Sequence, residues 1–477
     1  MAPLSLPERD SAAYLSEDTI AALSTPVGGA IALIRVSGPK SILLLEALTR
    51  IQPIVSRTPR KLYRARLQEI QSDRMLDDTL FAYFLAPLSY TGENLVEIHI
   101  HGGAYIATRV LEEIFKFGVR PALPGEFSFR AVRNGKLSLS QAQAVSELIS
   151  ASNDAAISLA LEKLSGTQNR LLQGISDELK SLAAFSEIGI DFADQDIEEV
   201  GLPRLKLRAQ VCLESILRLA DSFNRGSKVQ DGIRAAFLGI PNAGKSSFFN
   251  ALLGEDRSIV SELAGTTRDV VREKLTLRGI SQSISLRLED TAGLRVAEHP
   301  IEHEGIQRTL RAAQDADLLL FLVDPLSNLN AVRDEWAKID PSHRWTEKTL
   351  GVFTKSDQVG ADQISQVRNE LVSLGIQTWV SVSAVTGAGL PEATETILKF
   401  CERWVHRSPG EILLTRWEHC QAALAAGEDL KRALVADEIE LFASDLRQAL
   451  HSLSPLIGQT VPDDILGKIF SEFCIGK

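Results

Sequence analysis

The sequence predicts a multidomain fold of α/β and α class. An N-terminal α+β domain covers residues 1–135, a helical domain takes two segments, 136–229 and 401–477, and a phosphate-loop α/β domain is inserted between them over 230–400. Three observations predict it. The first 135 residues mix strand and helix patterns. Apolar residues at three- and four-residue spacing mark helices on both sides of the middle of the chain. Gly239-Ile240-Pro241-Asn242-Ala243-Gly244-Lys245-Ser246 is a complete G-x-x-x-x-G-K-[ST] loop between a short apolar strand and a helix.

Taken in order, Ala30–Val36 reads as a strand closed by Ser37-Gly38-Pro39. Thr79–Leu85 and Leu95–Ile100 are further strands, and Ala104–Phe117 has helical periodicity. Pro121 to Glu126 is a turn, giving an α+β pattern. From Ser138 to about Phe223 the chain is helical, with Ile157, Leu161 and Leu164, then Leu171, Ile175, Leu179 and Leu182, on buried faces. Gly226-Ser227 and Asp231-Gly232 form a hinge. Helical patterning returns after Arg407-Ser408-Pro409-Gly410 through Leu430, Leu434, Ile439, Leu446 and Leu450. An insertion explains helices on both flanks, because domain termini commonly lie close together. Three domains in a row is the blander alternative.

Composition narrows the function. The 477 residues exceed one compact core. A net charge of −11 excludes a chain that is basic throughout, so any RNA contact must use a local patch or a partner. No apolar run approaches the length of a membrane span, and Met1–Asp18 shows neither an apolar signal core nor an Arg-rich transit helix. A cytoplasmic protein with no membrane contact is expected. Cys212, Cys401, Cys420 and Cys474 lack C-x-x-C spacing, which argues against a zinc site or a disulfide framework.

The glycines of the 239–246 loop let successive backbone N–H groups point at phosphate oxygens, and the helix N-terminus adds partial positive charge. Lys245 is placed for the β- and γ-phosphates, and Ser246 for magnesium. Four further stretches follow in the order of a GTPase. Gly265-Thr266-Thr267-Arg268-Asp269 supplies Thr267 to the γ-phosphate and magnesium. Asp290-Thr291-Ala292-Gly293, after the strand Ile284–Leu288, supplies a carboxylate for the metal and an N–H for the γ-phosphate. Thr354-Lys355-Ser356-Asp357 and Ser383-Ala384-Val385 each follow an apolar strand. The Asp357 carboxylate can accept from N1 and N2 of guanine, a donor pair that adenine lacks. Each stretch is weak alone; together they predict a Ras-like GTP-binding domain.

Two departures carry expectations. Thr354 stands where Asn is usual, so a tie to the phosphate loop or to the base is expected to be unmade, at a cost of about 0.5–1.5 kcal/mol. Leu294 stands where many small GTPases place a water-orienting Gln. Glu298, Glu302 and Glu304 are the nearby carboxylates that could replace it. Arg268, Arg295 or a monovalent cation beside Asn242 could supply positive charge.

Asn242, the Gly265–Asp269 run, Asp290-Thr291-Ala292-Gly293-Leu294-Arg295 and the final Cys474-Ile475-Gly476-Lys477 together resemble the MnmE (TrmE) family of bacterial tRNA-modification GTPases. Tyr90-Thr91-Gly92-Glu93, Pro124-Gly125-Glu126-Phe127-Ser128, Asn134-Gly135-Lys136-Leu137, Ile190-Asp191-Phe192 and Asp464-Ile465-Leu466 extend the likeness over nearly the whole chain, the first eighteen or so residues excepted. The resemblance implies an N-terminal folate-binding domain similar to that of the glycine-cleavage aminomethyltransferase, through which two copies dimerise. It implies GTP contacts at Asn242, Ala243, Gly244, Lys245, Ser246 and Ser247, at Ser261, Glu262, Leu263, Ala264, Gly265, Thr266 and Thr267, and at the three later motifs. Potassium would be held by Asn242, Ser261, Leu263 and Thr266, and Glu302 would be catalytic. Arg35, Glu97, Lys136 and Lys477 would hold a reduced folate, 5-formyl- or methylenetetrahydrofolate. The implied activity uses GTP hydrolysis, in a heterotetramer with the FAD protein MnmG (GidA), to add an aminomethyl or carboxymethylaminomethyl group to carbon 5 of the wobble uridine of certain tRNAs. Glycine or ammonium would supply the nitrogen.

A non-catalytic ribosome-assembly switch related to Era is the alternative reading, and it would need no folate. A membrane-acting mechanical GTPase is weaker still. His99 and His101 share a strand face and read as structural, without an acidic partner in register. Asp191, Asp194, Asp196, Glu198 and Glu199 read as a solvated acidic face. Cys474 is a possible nucleophile in the tail.

Overall fold

The computed structural model describes residues 14–191, 201–255, 274–279, 283–288, 310–406 and 411–457, with 470, 473 and 476 in the tail. The chain divides into two compact units. One holds Met1–Ile149, Leu161–Ala209 and Glu428–Lys477; the other holds Ser150–Ala160 and Gln210–Gly427.

In the first unit, strands β1 (Ile20–Leu23), β2 (Ile31–Ser37), β3 (Tyr63–Gln68), β4 (Met75–Phe84), β5 (Leu95–His101) and β6 (Arg120–Pro121) form a sheet of order β3-β4-β5-β2-β1-β6. All described pairings are antiparallel except β1 with β6. Alternation decides which face is buried. Val96, Ile98 and Ile100 of β5 join Ile34 and Val36 of β2 and Phe81 and Tyr83 of β4 in one core. Helices α1 (Ser41–Thr49) and α2 (Ala104–Lys116) cover it with Leu44, Leu45 and Leu48 and with Val110 and Ile114. Each such side chain contributes roughly 1.5–3 kcal/mol of burial. Glu97, His99 and His101 alternate to the other face. The sequence reading found β2, β4, β5 and α2 but missed β1, β3 and β6.

Helices α3 (Glu126–Arg133), α4 (Leu139–Ser150), α5 (Asp154–Leu164), α6 (Thr167–Asp191) and α7 (Leu202–Asp231) follow. The hinge expected at Gly226-Ser227 is corrected, because α7 runs unbroken through both residues to Asp231. Within the first unit, α6 packs along the helix Ile439–Ile457. The Lys163 ammonium donates to Glu147 at 2.7 Å, both ends buried. Gly125, at φ +63, is where Phe470 and Phe473 press closest; a Cβ there would lie 2.7 Å from the Phe470 carbonyl. Those two rings join Tyr14 and Phe129 in a small cluster.

In the second unit, β7 (Ile233–Leu238), β8 (Lys274–Arg278), β9 (Ser283–Leu288), β10 (Leu318–Val323), β11 (Thr349–Phe353) and β12 (Trp379–Ser381) form a sheet of order β12-β11-β10-β7-β9-β8. Only the β8–β9 pairing is antiparallel among the described strands. Every residue of β10 is buried, as a strand covered by helices on both faces requires. Core residues divide accordingly, with Leu318, Leu320 and Leu322 on one side and Leu319, Phe321 and Val323 on the other. The chain leaves β7 toward β9 on one side and reaches β10 on the other. That reversal opens a crevice at the carboxyl ends of the strands, where ligands of open parallel sheets bind. Helix α8 (Lys245–Glu255) begins there.

A polar clasp joins the start of α5 to β9 inside this unit. Asn153 is buried; its Nδ2 donates to the Val229 carbonyl at 3.0 Å and to Ser285 Oγ at 3.2 Å, while its Oδ1 caps the Ala156 N–H at 2.8 Å. Ser152 and Ser285 hydroxyls meet at 2.7 Å, and Ser283 donates to Asp154 at 2.7 Å. Boundaries between units fall at the end of α4 and inside α5, α7 and the helix Trp417–Val435.

Candidate nucleotide site

The loop between β7 and α8 turns where its glycines permit. Gly239 has φ +137, and a Cβ there would sit 2.3 Å from the Leu322 carbonyl of neighbouring β10. Gly244 has φ +83 and packs on the Thr354 side chain. Asn242 takes the left-handed region at φ +63, which Asn tolerates better than most residues, and is exposed at the loop's corner. Ser246 and Ser247 are exposed in the first turn of α8.

Lys245 lies back under the loop. Its ammonium donates to the Gly239 carbonyl at 2.8 Å and the Ile240 carbonyl at 3.0 Å. Burial pulls its pKa below the ordinary lysine value, with Glu335 opposing. Two carbonyl dipoles thus hold a cation that has lost much of its water.

The expectation for Thr354 is corrected in its first alternative, the tie to the phosphate loop. Its buried hydroxyl donates to the Ala243 carbonyl at 2.9 Å, so the tie from this motif to the phosphate loop is made. Thr is short, but Gly244 has no side chain and lets the two strand-end loops approach closely enough for the shorter reach.

Lys355 follows in the left-handed region at φ +51, and its ammonium pairs with Asp324 at 2.7 Å. The exposed Asp357 lies one residue beyond Ser356, whose N–H is held by the Val382 carbonyl at 3.1 Å. The buried Ser383 hydroxyl accepts from the Thr386 N–H at 3.2 Å and shapes the next loop.

These pieces line one cavity of about 140 Å³, walled by Gly244, Ser247, Phe248, Thr354, Lys355, Asp357, Gln358, Val382, Ala384 and Val385. That is well below the ~300 Å³ at which whole-ligand pockets begin. Three separated sequence motifs therefore meet in one slot. Phe248, Gln358, Val382 and Asp324 were missed in the sequence. Asp324 had one local signal, a carboxylate directly after the apolar strand β10.

Other expected residues lie outside the described residues: Ser261, Glu262, Leu263, Ala264, Gly265, Thr266, Thr267, Arg268, Asp290, Thr291, Ala292, Gly293, Leu294, Arg295, Glu298, Glu302 and Glu304 in this unit, and Cys474 and Lys477 in the tail. The acids at 194–199 do so as well.

In the first unit, Arg35 and Glu97 are directly opposite across β2 and β5. Arg35 donates to Glu97 Oε1 from Nε at 3.1 Å and from a terminal nitrogen at 2.7 Å, over the rings of Tyr90 and Phe127. Lys136 is exposed, and its stem runs beside Gly92. Gly476 approaches β1, where its carbonyl accepts from the Ser24 hydroxyl at 3.1 Å. Behind these lies a network the sequence did not suggest. Arg130, 2% exposed, holds Asp18, Glu93 and the fully buried Glu126, while Arg120 holds Asp18 and Glu126. His101 is also corrected: its Nδ1 meets Asp77 Oδ1 at 2.6 Å, and Asp77 Oδ2 accepts from the His101 N–H at 2.9 Å. The acidic partner comes from β4, a pairing no local pattern encodes.

A family model described as the MnmE helical domain matches residues 139–474, and one described as the GTP-binding protein TrmE N-terminus matches residues 19–136. The chain belongs to the MnmE family. Among relatives named tRNA modification GTPase MnmE, that of Protochlamydia amoebophila is 38% identical over 97% of this chain and 98% of its own. That of Opitutus terrae is 37% identical over 97% and 99%. Among solved structures, the G domain of the T. maritima FeoB iron transporter is 25% identical over 35% of this chain and 98% of its own, with a TM-score of 0.26. MnmE membership thus rests on nearly full-length sequence likeness.

Proposed function

We propose that this chain is a potassium-stimulated GTP hydrolase that acts in tRNA modification with the FAD protein MnmG (GidA), adding an aminomethyl-type group to carbon 5 of a wobble uridine. The observation that carries the nucleotide half is the slot in which Gly244, Lys355, Asp357 and Ala384 converge beside a formed phosphate loop. Family membership supports the tRNA half.

The donors on the loop suit hard cations, which take oxygen ligands. Ser246 would hold magnesium with Thr267, and Asn242 would hold potassium with Ser261, Leu263 and Thr266. Bound there, the two ions would supply positive charge to the phosphate oxygens. Lys245 stays on the loop side and binds the phosphates. Asp357 orients the base. Glu302 aligns or deprotonates water, a task Leu294 has no polar atom to perform.

A reduced folate fits the first unit in part. Both hydrogen bonds from Arg35 end on Glu97 Oε1, so Oε2 is the oxygen that can face a pterin edge. Lys136 and Lys477 suit the anionic tail. Ile31 and Leu80 stay exposed on the sheet and suit contact with a second copy. The domain boundaries at 135, 229 and 400 belong to the same proposal, with the GTPase inserted in the helical domain. A net charge of −11 fits a division of labour in which the partner holds much of the tRNA.

The test is mass spectrometry of wobble uridine in tRNA from cells lacking this chain, with and without its return, beside calorimetric titration of the purified chain with GDP. Restored modification and guanine-selective binding are expected. Unmodified tRNA after the chain's return, with guanine binding intact, would leave the Era-like switch as the better reading.

A further inference from the structure

Asp324 ends β10, directly beside the end of β11. The two strands are in parallel register from Leu319↔Thr349 to Val323↔Phe353, and the Thr354 N–H donates to the Val323 carbonyl at 2.9 Å. Asp324 and Lys355 therefore leave adjacent strand ends. The Asp324 side chain is only 14% exposed and is held twice: Oδ1 accepts from the Leu326 N–H at 2.9 Å, and Oδ2 accepts from the Lys355 ammonium at 2.7 Å. Ser327 closes the turn, its N–H at 2.9 Å and its hydroxyl at 2.6 Å from the Asp324 carbonyl. The carboxylate is thus a fixed anchor, set before any ligand arrives.

The anchored lysine is a wall of the slot. A free lysine stem samples many rotamers, and ordering it costs entropy whenever a ligand must stack on it. We propose that Asp324 is a positioning residue for the nucleotide base: it holds Lys355 along the cavity wall so that the four-carbon stem presents a ready-made apolar face to a purine. Asp324 itself touches no nucleotide. The inference rests on the reading of this slot as the base site, and it adds a residue to that site which none of the sequence motifs contains.

The test uses the full chain with magnesium and fluorescent GDP and ITP. Asp324→Ala should weaken GDP binding about tenfold, the scale of one charge-assisted contact. Because a stem stacks on any purine, ITP should lose the same factor. Asp324→Glu should recover most of it. Lys355→Ala should weaken binding comparably, and Asp324→Ala added to it should cost almost nothing more, since an anchor without its cargo is idle. In steady-state hydrolysis the loss should fall on KM rather than on kcat. Thermal unfolding of each variant separates misfolding from mispositioning. If Asp324→Ala binds GDP as tightly as the parent, or if the two alanine losses add in full, the inference is overturned while the base site stands. If the parent chain itself ignores guanine nucleotides, the site reading falls first.

Discussion

The Thr354 hydroxyl and the Ala243 carbonyl meet at 2.9 Å, joining the loop after β11 to the glycine-rich loop before α8 through one buried hydrogen bond. Thr354→Val keeps the shape and deletes the donor. Affinity for GDP should fall by about 0.5–1.5 kcal/mol, with an equal fall for ITP, because the bond holds the loop and not the base. Titration of both nucleotides checks this. A loss confined to GDP would mean that the hydroxyl reads guanine.

Asp357→Asn should move preference from GTP toward xanthosine triphosphate. The amide donates where the carboxylate accepted, and the xanthine edge carries an oxygen in place of the amino group. Competition binding measures the ratio, and retained GTP selectivity would remove Asp357 from the base site.

Hydrolysis should run several-fold faster in potassium than in sodium at equal ionic strength. Asn242→Ala should abolish that difference. Equal rates for the unmodified chain in both salts would sink the cation mechanism without touching nucleotide binding.

Glu302→Ala should keep the nucleotide and lose about 100-fold or more in turnover, the scale of general base catalysis. Binding and single-turnover assays separate the two effects. Undiminished turnover would transfer the role to Glu298 or Glu304.

Acid should loosen the first unit through Asp18. Burial opposes its ionisation, but the Arg120 and Arg130 guanidinium groups outweigh that and hold its carboxyl below the ordinary value. A depressed carboxyl stabilises the fold above its unfolded pKa of about 3.9 and loses that contribution as pH falls through the lower folded value. Asp18→Asn should therefore reduce stability at neutral pH and flatten its decline below about pH 4. Urea unfolding between pH 3 and pH 7 checks the slope, and parallel curves for the two proteins would exclude Asp18 as a contributor.

Local chemistry made much of this protein legible. The glycine spacing from Gly239 to Gly244 predicted a tight loop with glycine at its turns, and β5 and α2 followed from two- and three-to-four-residue periodicity. Motif order brought out guanine, because Lys355, Asp357 and Ala384 keep their types wherever they sit in the chain. What stayed hidden was every relation between distant strands. The His101–Asp77 pair, the ties of Arg120 and Arg130 to Asp18 and the Asp324–Lys355 anchor each depend on chain segments the fold brings together, and no residue type announces those.

Sequence by itself determined the family, the glycine-rich loop and the residue types that line the slot beside it, because backbone freedom and side-chain chemistry are local properties. Only the tertiary structure decided that Thr354 still ties the loop, that Arg35 spends its charge on Glu97, and that Asp324 holds Lys355. Those outcomes are set by distances of a few ångströms between chain segments tens of residues apart, which the packing of two sheets and their helices establishes.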